Sequence, residues 1–268
     1  MNYCTYFDSG YMAQGMACIR SLQRWDNDAW IAVLALDKRA YDAIPRGPGI
    51  RVVLQETAGA ENIWRLTPGW IRRAMDLLNA PAIAYVDADM YAFSPLAPVW
   101  EECLQEPVAI VPHRWTPKYA ERLRPNGKYN VGWLTVRNTG EGVQMLERWE
   151  RYCRNWKPTP EQSRFMDQRF FDDPPVNHDA WHIVENLGVN LAPYNQEQYE
   201  YTHGPNGLGV SDGMRCDRLA LYHFHEWRCK RGPNDAVTVL RHTGYQLAPA
   251  VAEYVYPQYE REAMQYAI

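Results

Sequence analysis

The sequence predicts an α/β fold: a mostly parallel central sheet flanked by helices, in a single domain whose C-terminal part is irregular. Three observations carry that prediction. Short runs of branched and aromatic residues alternate with helix-periodic segments through the first half of the chain. One of these runs, Ala82 to Val86, is apolar except for Tyr85, as suits a parallel strand covered on both faces. A length of 268 residues with 46% hydrophobic and 22% charged residues fits one folded body and excludes a mostly disordered chain.

Asn2 to Phe7 reads as the first strand, and Asp8-Ser9-Gly10 as a turn into a helix from about Tyr11 to Arg24. Met12, Met16, Ile19 and Leu22 recur at intervals of three and four, giving that helix one apolar stripe. Strands follow over Ile31 to Leu36 and Ile50 to Leu54. Thr67 stands as an N-cap with Pro68 in the first turn of a helix through Trp70, Ile71, Ala74, Met75 and Leu78, which Asn79-Ala80-Pro81 ends. The strand Ala82 to Val86 then runs directly into Asp87-Ala88-Asp89. Ser94-Pro95 opens a short helix toward Cys103, and Val108 to Val111 is the next strand. After a basic loop, Tyr129-Asn130-Val131-Gly132 precedes a strand Trp133 to Val136 and a helix from Gly140 to Asn155. Beyond it the pattern loosens. A short helix is expected over Ser163 to Phe171, short strands over Trp181 to Val184, Val189 to Leu191 and Leu219 to Phe224, and C-terminal helices interrupted by Pro257. No internal repeat or low-complexity linker divides the chain.

A net charge of -4 and a pI near 6.0 supply no basic field, which argues against a nucleic-acid partner. Cys4, Cys18, Cys103, Cys153, Cys216 and Cys229 form no CxxC pair and no zinc spacing, and read as reduced thiols. No stretch approaches the roughly 18 consecutive apolar residues of a membrane helix, and the first residues lack the regions of a signal peptide. A cytoplasmic protein is expected.

In an open parallel sheet, ligands bind outside the carboxyl ends of the strands, which is where Asp87 and Asp89 fall. Two carboxylates one residue apart can both face a hard divalent cation such as Mg2+ or Mn2+. An isolated Asp-x-Asp is also what a solvated turn looks like. Leu221 to His225 reads as a strand with His223 and His225 on one face, so either imidazole can complete the site or serve as a hydrogen-bonded core residue. Glu226 to Lys230 then brings cations able to hold phosphate. A metal so placed would neutralise charge developing on a leaving diphosphate. The basic segment Arg114 to Lys128 reads either as a loop that closes over that diphosphate or as a solvated surface loop.

The N-terminal strand with Tyr11, Ala84 to Met90, Pro112-His113, Tyr129 to Gly132, Asp167-Gln168, Gly188-Val189-Asn190 and Tyr222-His223-Phe224 occur in one order along most of the chain. That series resembles nucleotide-sugar glycosyltransferases of the GT-A (Rossmann-like) fold, especially glycogenin-like and related bacterial enzymes of surface polysaccharide synthesis. The resemblance implies metal ligands at Asp87, Asp89 and His223, with Mn2+ or Mg2+ as cofactor. It implies that Thr5, Phe7, Asp8 and Tyr11 surround the nucleotide base, that Arg72 or Arg73 lies near the donor, and that Ala88 approaches the ribose. Asn130 and Gly132 would lie against the donor sugar, where glycine permits close backbone approach. Asp167 and Gln168 would stand beside the reacting carbon, and Lys230 would contact phosphate. The family commonly has a small residue after the His-Phe pair, where this chain has His225-Glu226-Trp227.

The implied organisation is a nucleotide-binding half over about 1–112 and an acceptor and metal-completing half over about 113–268. The implied reaction is transfer from a nucleotide-diphosphate sugar, UDP-sugar favoured, to a glycan or lipid-linked acceptor, with retention. Contact with a membrane would then be peripheral. A sugar-1-phosphate nucleotidyltransferase should carry a glycine-rich loop after the first strand, which Tyr6-Phe7-Asp8-Ser9-Gly10-Tyr11 is not. An inactive relative that binds carbohydrate or nucleotide is the other alternative. Neither a GxxxxGK[ST] loop nor a GxGxxG fingerprint is present.

Overall fold

The computed structural model describes residues 1–57, 63–157, 167–172, 181–232, 234–241 and 244–268, apart from the side chain of Arg124. The first half carries β1 (Asn2–Phe7), α1 (Met12–Trp25), β2 (Trp30–Ala35), α2 (Lys38–Ala43), β3 (Ile50–Leu54), α3 (Thr67–Leu78), β4 (Ala82–Val86), β5 (Met90–Ala92), α4 (Ala97–Cys103) and β6 (Val108–Pro112). The second half carries α5 (Leu123–Asn126), β7 (Tyr129–Arg137), α6 (Gly140–Asn155), β8 (Trp181–Ile183), β9 (Glu200–Gly204), β10 (Gly207–Ser211) and β11 (Cys216–Arg218). It ends with β12 (Leu221–His223), β13 (Arg228–Arg231), β14 (Val237–Leu240) and α7 (Tyr256–Ala263).

Seven strands form the central sheet in the order β3-β2-β1-β4-β7-β6-β8. Its strands run parallel except β7, which is antiparallel to both β4 and β6. All five residues of β4 are buried, and alternate side chains serve opposite layers. Ala82, Ala84 and Val86 meet the apolar faces of α1 and α4, while Ile83 and Tyr85 meet those of α3 and α6. The stripe expected on α1 is inside: Met16, Ile19 and Leu22 are fully covered, each contributing roughly 1.5–3 kcal/mol by burial.

Several elements differ from the sequence expectation, each for a local reason. The segment Tyr129–Gly132, expected to precede the strand from Trp133, is the opening of β7, with a register shift opposite Ile110 and Val111 absorbing the irregularity. The strand expected through His225 stops at His223, and Val189–Leu191 makes only a single bridge from Leu191 to Tyr222. Thr67 does not cap α3; its hydroxyl donates to the Trp64 carbonyl at 2.9 Å. Pro257 does not break the C-terminal helix. It sits in the first turn of α7, directly after a π-helical stretch Val251–Val255, which accommodates its missing N–H. Residues 163–166 of the helix expected over Ser163 to Phe171 lie outside the described residues, and Gln168–Phe171 form a 3-10 turn.

Two small elements position the site. β5 pairs antiparallel with β12, placing His223 opposite Met90, and the Phe224 N–H donates to the Asp89 carbonyl at 2.8 Å. The C-terminal helix buttresses this ribbon: Glu262 accepts from Tyr91 of β5 at 2.8 Å, and Glu260 accepts from the Trp227 indole at 3.1 Å. The six cysteines are free, five of them buried. Among the described residues no helix is long and apolar enough to cross a membrane.

Candidate functional site

The acidic motif leaves the carboxyl end of β4, where the Asp87 N–H donates to the Gly132 carbonyl at 2.9 Å and so ties the motif to β7. His223 comes from the far half of the chain. Its Nε2 lies 3.2 Å from Asp89 Oδ1 and 3.9 Å from Asp87 Oδ2. One ligand atom from each of the three residues falls within 4.8 Å of the others. Two carboxylate oxygens and an imidazole nitrogen make a donor set suited to a small divalent cation.

Space at this cluster depends on Gly132. A Cβ there would stand 2.5 Å from Asn130 Oδ1, 3.2 Å from His223 Nδ1 and 3.3 Å from Asp87 Oδ2. The residues therefore fit a metal both in chemistry and in the room left beside them.

The electrostatics of the three groups are linked. Burial opposes ionisation of Asp89, but the charge and hydrogen bond of His223 outweigh it and hold the carboxyl down at about 2. Burial pushes Asp87 up, with Asp89 adding to the rise. Burial also disfavours a charged imidazole at His223, yet the two carboxylates override it and raise its pKa. A metal bound here competes with that proton.

A second polar group lies next to the first. Asn130 accepts from the Gly132 N–H through Oδ1 at 2.9 Å, which orients its amide so that Nδ2 faces His113 Nε2 at 3.2 Å and Gln168 Oε1 at 3.4 Å. Gln168 in turn donates to the Asn126 carbonyl at 2.6 Å. Burial, with His223 and His225 nearby, drops the His113 pKa to about 3, so this ring is neutral and accepts from Asn130. Its face stacks on Trp115 with centroids 4.5 Å apart. Asp167, buried beside this group, lies 3.4 Å from Thr67 Oγ1, and burial together with the charge of Asp87 pushes its carboxyl up to about 7.

The first loop supplies a third wall. Asp8 accepts from the Tyr11 N–H at 3.2 Å, and the Arg228 guanidinium lies 4.2 Å over the Tyr11 ring while bonding its hydroxyl. The charge of Arg228 also acts on Asp89. Thr5 is buried with its hydroxyl unpartnered, and Ala88 is buried between the two aspartates. Phe7 packs inward, its ring against α1 where a Cβ at Gly15 would meet it at 2.4 Å.

Three expected residues stand apart from these hydrogen bonds. Arg72 is exposed and pairs with Glu147 of α6 at 3.6 Å, and Arg73 lines a cleft of about 260 Å3 with Gln55, Arg65 and Glu150. Lys230 is exposed on β13. Arg228, the other cation of the Glu226 to Lys230 segment, shares a face of β13 with Lys230 by strand alternation, and its charge is the one that acts on Asp89. The basic segment 114–128 is folded, and its described cations are engaged. Arg114 donates to the carbonyls of Val184, Asn186 and Val189, Lys118 pairs with Glu197 and Arg122 bonds Tyr245.

Solved structures share this arrangement of elements. The galactosyltransferase LgtC, in complex with donor and acceptor sugar analogs, superposes with a TM-score of 0.56 at 12% identity, covering 100% of this chain and 97% of LgtC. The fold is the GT-A fold. At the sequence level the chain is 23% identical to the uncharacterized protein YfnD of Bacillus subtilis (strain 168) over 244 residues, 84% of this chain and 76% of YfnD. It is 22% identical to the uncharacterized protein YfnF of the same strain over 249 residues, 84% of this chain and 81% of YfnF. No protein-family model matches.

Proposed function

We propose that this GT-A chain is a metal-dependent glycosyltransferase that moves a sugar from a nucleotide-diphosphate donor, UDP-sugar favoured, to a carbohydrate or lipid-linked acceptor. The observation that carries the reading is the convergence of Asp87, Asp89 and His223, from two halves of the chain, on one largely buried point outside the ends of the parallel strands. Asp87 Oδ2, Asp89 Oδ1 and His223 Nε2 would hold Mn2+ or Mg2+. When bound, the metal supplies charge neutralisation to the departing diphosphate.

The chain's own groups do the rest. Asp8, Thr5 and Tyr11 line the place of the base over the packed ring of Phe7, and Ala88 leaves room for the ribose. Arg228 is the cation nearest the expected diphosphate, with Lys230 beyond it and Arg72 or Arg73 toward the outer donor side. Gly132 and the oriented amide of Asn130 meet the sugar, while Gln168 and Asp167 orient the acceptor or stabilise charge at the reacting carbon. The division is 1–112 for nucleotide and 113–268 for acceptor and metal completion, with the protein working in the cytoplasm and touching a bilayer only at its surface where the acceptor is lipid-linked.

A thermal-shift screen of UDP, GDP, CDP and ADP with and without Mn2+ tests this, because a ligand that binds the native state raises its apparent stability. One diphosphate should shift the transition only when metal is present. No shift with any of the four overturns the donor reading. Retention is read from the anomeric signal of the product by NMR, and an inverted product overturns that part alone.

A further inference from the structure

Behind the acidic motif, on the face of the sheet covered by α3, hydroxyl groups lie between the half-buried carboxylate of Asp87 and the buried one of Asp167. Tyr85 donates to Asp87 Oδ1 at 2.7 Å. Its ring lies beside that of Tyr6 on the neighbouring strand, centroids 5.7 Å apart. The Tyr6 hydroxyl is 3.0 Å from Thr67 Oγ1, which is 3.4 Å from Asp167 Oδ2. Filling this part of the core needs only the rings. A buried hydroxyl without a partner costs about 1–3 kcal/mol, so hydroxyls here are tolerated because each finds another polar group.

The geometry at Asp87 gives the series a use. Each hydroxyl has a single hydrogen, and that of Tyr85 is committed to Asp87 Oδ1. The other oxygen, Oδ2, is thereby the one left to face His223. An outer hydrogen bond of this kind fixes the orientation of a ligand, and losing it typically weakens metal binding about tenfold to a hundredfold.

We propose that Tyr85, braced by Tyr6, is a positioning residue for the metal-facing carboxylate of Asp87. The inference rests on the metal-site reading above. It assigns the tyrosine pair to setting metal affinity rather than to packing.

The test is Mn2+ titration of the full chain followed by electron paramagnetic resonance of the free ion, on the unaltered protein and on Asp89→Ala, Tyr85→Phe and Tyr6→Phe. The unaltered chain should bind and Asp89→Ala should not. Tyr85→Phe should bind about tenfold or more weakly, and Tyr6→Phe should lose a smaller factor, both with unchanged circular dichroism. Tyr85→Phe binding Mn2+ as tightly as the unaltered chain overturns the positioning role while leaving the metal site standing. Absence of binding by the unaltered chain overturns the site reading and the inference with it. Should Tyr85→Phe fail to fold, unaltered affinity in Tyr6→Phe overturns the proposal by itself.

Discussion

Asp89 and Asp167 are the same chemical group, both buried outside the ends of the same sheet, yet their surroundings push them in opposite directions. At Asp89 burial is overcome by His223, and the carboxyl is held down at about 2. At Asp167 burial is reinforced by the charge of Asp87, no cation among the described residues balances it, and the carboxyl rises to about 7. Burial alone therefore sets neither value; the nearest partner decides the sign. The comparison separates a corner built to hold a permanent negative charge from one able to carry or release a proton near neutrality.

The sharpest way to break the contrast is to remove the charge at the first corner. Asp89→Ala should abolish Mn2+ binding and lower turnover by about 10^3-fold, since charge stabilisation of several kcal/mol is lost and each 1.36 kcal/mol is a factor of ten. Metal-dependent turnover at the unaltered rate in this variant defeats the assignment. At the second corner the effect is on stability. A carboxyl whose folded pKa is raised contributes most below its unfolded value of about 3.9, and the contribution is lost as pH rises through the folded value. For Asp167, at about 7 when folded, that loss is on the order of 4 kcal/mol between pH 4 and pH 8. Asp167→Asn cannot ionise, so urea unfolding should show it gaining on the unaltered chain as pH rises. Parallel stability curves for the two proteins would mean that Asp167 titrates as an ordinary carboxyl.

How far the two corners could be read beforehand differs for physical reasons. Asp87 and Asp89 were legible because they end β4, whose apolar run marks a central strand, and hydrophobic periodicity reports burial directly. The β/α order around them was legible for the same reason, from β1 through α3. The pairing that delivers His223 was not, since β5 and β12 have three residues each and show no period. Tyr129–Gly132 carries no strand signal of its own because Asn and Gly are poor strand formers, yet it belongs to β7, where Asn130 and Gly132 lie beside the acidic cluster. The antiparallel direction of β7 has no signature in composition at all. Thr67 looked like a helix cap by position, and only the tertiary structure turns its hydroxyl toward Trp64, Tyr6 and Asp167. The β9–β10–β11 meander, with three of its glycines inside strands, gave no strand signal.

A smaller perturbation tests whether room at the proposed metal corner is deliberate. Gly132→Ala would thrust a Cβ within 2.5 Å of Asn130 Oδ1 and toward His223 and Asp87. Such overpacking should cost roughly 1–3 kcal/mol of stability and weaken Mn2+ binding, both visible in one calorimetric titration series. A variant that loses stability but keeps its metal affinity would show that the crowding is relieved on the Asn130 side.

The least disruptive change divides two cations on one strand face. Arg228 covers Tyr11 at 4.2 Å and its charge reaches Asp89, whereas Lys230 lies exposed two residues further on. A guanidinium whose charge acts on Asp89 can meet a diphosphate there and is already partly desolvated, which strengthens its hydrogen bonds. Arg228→Ala should therefore raise the dissociation constant of the preferred nucleoside diphosphate about tenfold in the presence of Mn2+, the equivalent of one hydrogen bond to a charged group. Lys230→Ala should raise it less. Equal losses would place both side chains on the diphosphate, and a larger loss at Lys230 would mean that Arg228 stays on Tyr11 when the donor arrives, leaving the outer cation as the phosphate contact.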